Sequence, residues 1–124
     1  MSLIVRGIVR SGCQHFTRRM KKYPEVFKSA TGVVLVPGTI NVHIAGNQEI
    51  KIKEDFRMDD PMDANQVLLF EEMLINGISG FRIRPFNKLD GSGGHGDHVI
   101  EVSSDRKIPE ISEGVEVILE FFRN

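Results

Sequence analysis

The chain has 124 residues, with 40% hydrophobic and 27% charged residues and a formal net charge of −1. That length suits one domain able to bury about two-thirds of its unfolded surface. It excludes whole-chain disorder, and no apolar run approaches the roughly 18 residues of a membrane span. One cysteine, Cys13, excludes an intrachain disulfide and a Cys-rich zinc site. No secretory signal is visible at the start, so a reduced, cytoplasmic setting is expected. A dedicated nucleic-acid binder carries a basic excess, which is missing here. The balance is uneven, however. Arg18, Arg19, Lys21 and Lys22 form a basic cluster, whereas Glu54, Asp55, Asp59, Asp60 and Asp63 crowd an acidic one. Both read as solvated surface, and the basic one also as a phosphate-attracting rim.

In chain order, Leu3–Arg10 is rich in Val and Ile and predicts a strand, ended by Ser11-Gly12. Phe16, Met20, Tyr23, Val26 and Phe27 recur at helical spacing. Pro24 interrupts that stripe, which predicts two short helices with Pro24 opening the second and Gly32 capping it. Val33–Val36 is a strand or an extended link. Pro37-Gly38 turns the chain into Thr39–Ile44, where Ile40, Val42 and Ile44 share one face and Thr39, Asn41 and His43 the other. Glu49–Lys53 alternates and is expected to pair with that strand. The acidic stretch to Ala64 reads as a loop. Gln66–Ile75 is ambiguous between strand and helix, and Glu71-Glu72 tips the residues slightly toward helix. Phe81–Arg84, His98–Val102 and Val115–Phe121 read as strands, separated by a glycine-rich loop from Lys88 to Asp97. Short strands, one or two short helices and glycine-rich corners predict a mainly β domain over 1–124, a small closed or partly closed barrel.

Several constellations invite chemistry. His95, Asp97 and His98 offer imidazole and carboxylate to a transition metal, in a spacing that matches no established ligand set. Cys13 and His15 stand too close together for the usual nucleophile and base. The 90–97 loop lacks the Lys-Ser/Thr of a phosphate-binding Walker loop. Thr39 and Asn41 are more informative. Two oxygen-bearing side chains on one strand face, just past a tight turn, suit either a solvent face or a hydrated Mg²⁺ on a phosphate.

The ordered set Gly7–Gly12, Phe16, Tyr23–Phe27, Pro37-Gly-Thr-Ile-Asn-Val42, Gly80–Pro85, Val99–Val102 and Ile111–Val117 resembles the archaeal-type CTP-dependent riboflavin kinases. The resemblance runs from about Gly7 to Phe121, and Pro37–Val42 is its most specific part. It implies a six-stranded cradle-loop barrel in which Gln66–Ile75 is a strand. It implies phosphoryl transfer from CTP to the riboflavin 5′-hydroxyl, giving FMN. Thr39 and Asn41 would then hold Mg²⁺. Glu101 would orient the acceptor hydroxyl or take its proton. Gly12 would open the nucleotide loop, with Gln14, His15 and Arg18 of this chain supplying nucleotide contacts in place of the family's loop residues. Arg84, His98 and Glu101 would lie at the flavin. Small-molecule substrates are the expected partners, with no nucleic acid or membrane, in a monomer or small homo-oligomer. One segment departs from the family. Its glycine-rich Ser-Gly-Leu-Gly-Glu-Gly loop is replaced by Ser11-Gly-Cys-Gln-His-Phe-Thr17. A barrel that has lost kinase chemistry and binds a nucleotide, flavin or protein is therefore the second expectation.

Overall fold

The computed structural model describes residues 2–11, 15–86 and 96–123. Cys13, the candidates Gly12 and Gln14, His95 and most of the glycine-rich loop lie outside the described residues, as does the side chain of His15. The chain is mainly β. In order, it forms β1 (Ser2–Arg10), α1 (His15–Lys22), α2 (Pro24–Thr31), β2 (Ile40–Ile44), β3 (Phe56–Asp60), β4 (Asp63–Ile75), β5 (Ile78–Pro85), β6 (Val99–Ser103) and β7 (Glu116–Phe122). The strands make one antiparallel sheet in the order β3-β4-β5-β6-β2-β1-β7, and a further β4–β7 pairing makes it ring-like. The hydrogen-bonded circuit thus runs through β4, β5, β6, β2, β1 and β7, with β3 attached outside it.

Two apolar clusters follow from this curvature. Val5, Val9, Val42, Ile44, Ile100, Val102, Val117, Leu119 and Phe121 fill the inside, joined by Met73 and Ile75. On the outside, Phe16 and Met20 of α1 and Phe27 of α2 pack on Phe70, Phe81, Ile83, Leu68 and Met58. The helices divide where expected. Pro24 stands in the first turn of α2, and Gly32 ends it with φ 83°, donating its N–H to Lys28 O at 2.7 Å.

Three segments differ from the sequence expectations. Gln66–Ile75 lies within strand β4, against the slight helical preference of its residues. Leu68 and Phe70 face the helices while Met73 and Ile75 face inward, so burial on both sides erases the alternation that marks a strand. The acidic stretch expected as a loop contains β3, in which Phe56 and Met58 pack into the outer cluster between charged neighbours. Glu49–Lys53, expected as a strand, pairs with no strand. Its backbone is held largely by side chains: Arg82 donates to Ile50 O at 2.6 Å, Arg123 donates to Lys51 O at 3.0 Å, and Lys53 N–H donates to Glu71 Oε1 at 3.0 Å. Buried backbone groups must find partners, and here charged groups serve in place of a ladder. Val33–Val36 belongs to no helix or strand, and Leu35 is buried.

Candidate functional site

Two of the side chains expected to carry chemistry, Asn41 and Glu101, fall on one register row that crosses the sheet. Phe56, Phe70, Ile83, Glu101, Asn41 and Arg10 are successive partners in β3, β4, β5, β6, β2 and β1. Directly opposed residues of antiparallel strands share a face. The row is apolar where it meets the helical layer and polar over its last three members, Glu101, Asn41 and Arg10. The candidate site lies on that polar end.

Period two explains how β2 reaches it. Val42 and Ile44 are buried in the interior, which turns Asn41 and His43 outward, and Thr39 immediately precedes the strand. Thr39 and Asn41 remain half-buried. Asn41 Oδ1 is buried and has no hydrogen-bond partner among the described residues. An orphaned buried carbonyl oxygen costs about 1–3 kcal/mol of desolvation, so it marks a place where stability has been given up. Glu101, 9% exposed, stands directly across from it. Hydroxyl, amide and carboxylate oxygens are the donor types that Mg²⁺ accepts, so these residues fit that ion.

Helix α1 borders the same place. Gly38, with φ 122°, donates its N–H to Met20 Sδ at 3.2 Å, and a Cβ there would stand 3.6 Å from Thr17 Oγ1. Beside this contact lies an open hollow of about 510 Å³ lined by Thr17, Arg18, Lys21 and Lys22. Arg18 sits on the exposed basic face of α1, the helix whose Thr17 and Met20 meet Gly38. His15 opens α1.

His98 and Arg84 diverge. His98 is half-buried, and its ring meets that of His43 edge-on at 6.2 Å between centroids, which brings it to the outward face of β2. Arg84 follows Ile83 and so takes the opposite face from Glu101. There it is 1% exposed, with Nε 3.0 Å from Asp97 Oδ1. Arg82 lies on the same inner side, fully buried, with Nη2 3.6 Å from Asp97 Oδ1. Burial pulls the Arg82 guanidinium down to about 10, against the opposing pull of Glu71 and Asp97. Burial raises the Glu71 carboxyl, opposed by the Lys53 N–H and by Arg123 and Arg82. This inner charge cluster escaped the sequence reading, because Phe81-Arg-Ile-Arg84 reads as an ordinary half-exposed strand. The basic cluster is visible in the sequence, but nothing linear shows that its helix packs against the turn at Gly38.

Among the described residues no three His, Cys, Asp or Glu side chains converge as a metal-binding group, and no helix is long and apolar enough to cross a membrane. Compared with known proteins, the chain matches no family model and no curated sequence.

Proposed function

We propose that the chain is a Mg²⁺-dependent phosphotransferase on a six-stranded cradle-loop barrel, moving the terminal phosphoryl group of CTP to the 5′-hydroxyl of riboflavin. The observation that carries this reading is the buried, unpartnered Asn41 Oδ1 opposite Glu101. The resemblance across Pro37–Val42 supplies the reaction. The circuit β4-β5-β6-β2-β1-β7 supports the barrel.

In this reading Thr39 and Asn41 hold the metal, which when bound neutralises phosphate oxygens. Glu101 accepts a hydrogen bond from the acceptor hydroxyl and takes its proton as the hydroxyl oxygen bonds to the terminal phosphorus. The bond from that phosphorus to the bridging oxygen breaks, and CDP leaves with the electron pair. Such a transfer needs positioning and charge compensation more than covalent help from the protein. Calorimetry with riboflavin, CTP, ATP and Mg²⁺, followed by chromatographic detection of FMN, tests it. The absence of flavin and nucleotide binding at millimolar ligand removes it.

Arg84 favours a second reading. It was expected beside the flavin, yet its charge is turned inward onto Asp97. A barrel that binds a nucleotide or flavin without turnover would show binding in the same calorimetry and no FMN.

A further inference from the structure

The sequence writes four cations into α1, and the structure separates them. Arg19 turns to Asp60, with Nε 2.9 Å from Oδ1 and 3.0 Å from Oδ2. Arg18, Lys21 and Lys22 instead line the 510 Å³ hollow with Thr17, and no carboxylate among the described residues pairs with any of them. Lys22 Nζ lies 5.5 Å from the Tyr23 ring centroid. The helix dipole accounts for cations in the last turn, where Lys21 and Lys22 stand. It accounts neither for Arg18, outside that turn, nor for a hollow between the three.

The hollow has a defined neighbour. Thr17 reaches Gly38 and Met20 anchors the Gly38 N–H, so the turn carrying Thr39 lies against the same helix. We infer that this open hollow on α1 is a shallow polyphosphate-binding groove that seats the phosphate chain of a nucleoside triphosphate, with Arg18, Lys21 and Lys22 supplying its positive charge. The inference rests on the phosphotransferase reading for its choice of ligand. It assigns the donor phosphates to side-chain charges on a helix face, in a chain whose Ser11–Thr17 segment carries few glycines for a backbone cradle. Arg18, Lys21 and Lys22 stand at i, i+3 and i+4 and so share one helix face, where three positive charges together favour a ligand carrying several negative charges over a monoanion.

The test titrates inorganic tripolyphosphate, without Mg²⁺, into the full chain at low salt. The samples are wild type, the double variant Lys21→Gln/Lys22→Gln, and Lys28→Gln as a control at an exposed position of α2. Lys and Gln have nearly equal helix propensity, so the fold is retained, and circular dichroism checks it. Two lost charge contacts should weaken tripolyphosphate roughly tenfold, and Lys28→Gln should leave it within about twofold. Rising salt should narrow the gap between wild type and the double variant. Equal affinity in wild type and double variant overturns the groove, as does an equal loss in Lys28→Gln. FMN assays on the same samples separate the two claims. Selective weakening with no FMN in any sample keeps the groove and removes the kinase. Undiminished FMN formation by the double variant at subsaturating CTP keeps the kinase and removes the groove.

Discussion

Asn41 and Glu101 are direct partners across the β2–β6 ladder, pairing an amide oxygen that has no hydrogen bond among the described residues with a nearly buried carboxylate. Replacing Asn41 with Val deletes the orphaned oxygen and adds a strand-forming residue. Its thermal midpoint should equal or exceed that of wild type by a few degrees, while Mg²⁺-dependent FMN formation falls at least about a hundredfold. A midpoint well below wild type would show that the oxygen contributes to folding. Near-normal turnover would remove Asn41 from the metal site.

Asp60 is 4% exposed and accepts hydrogen bonds from Arg19, from the Met62 N–H at 2.8 Å and from Gln66 Nε2 at 2.6 Å. Burial pushes its carboxyl up, but these hydrogen bonds together with the Arg19 charge hold it below the usual 3.8. The stability this confers is present above the unfolded value and is lost as pH falls through the lower folded value. Acid titration of the midpoint should therefore show a loss beginning near pH 4 and continuing below it, and Asp60→Asn should flatten that limb. Arg19→Ala strands the carboxylate and should cost about 3 kcal/mol at neutral pH in urea unfolding.

Asp97 answers two buried guanidinium groups at once, those of Arg82 and Arg84. Removing one partner of a buried pair leaves uncompensated charge. Asp97→Ala should destabilise by about 3 kcal/mol or more. Chemical denaturation measures it, and a loss under about 1 kcal/mol would show that water reaches the cluster.

A methyl group at Gly7 would overlap Val42 Cγ1 and come within 2.8 Å of His43 O. The obstacle includes backbone in the partner strand, which a rotamer change cannot clear. Gly7→Ala should cost about 2 kcal/mol, read as a lower urea midpoint with an unchanged slope.

The helical stripe with Pro24 in its middle was legible because both terminators act locally, and Pro24 and Gly32 bound α2 as expected. That Asn41 takes the face opposite Val42 and Ile44 was legible for a similar reason, since period two needs no knowledge of the partner strand. Glu101 was different. Nothing in its own segment says that it meets Asn41, and register with β2 decides it. β4 was obscured by burial on both faces, and β3 by the charged residues Asp55, Arg57 and Asp59 that alternate with Phe56 and Met58. At Glu49–Lys53 the alternation was real, and Ile50 does enter the core, but whether a ladder or a set of arginines would hold the backbone is settled by residues far away in sequence. Arg82 and Arg84 show the same limit. Which side of a strand faces inward depends on how the sheet curves.

The circuit is completed by β7, which lies between β1 and β4. During synthesis, β1 and β4 emerge long before the strand that joins them. Until residues 116–122 are made, each presents an open hydrogen-bonding edge, and apolar side chains of the inner cluster lack a cover. Assembly is then dominated by distant contacts, which fold slowly and leave time for mispairing between nascent copies.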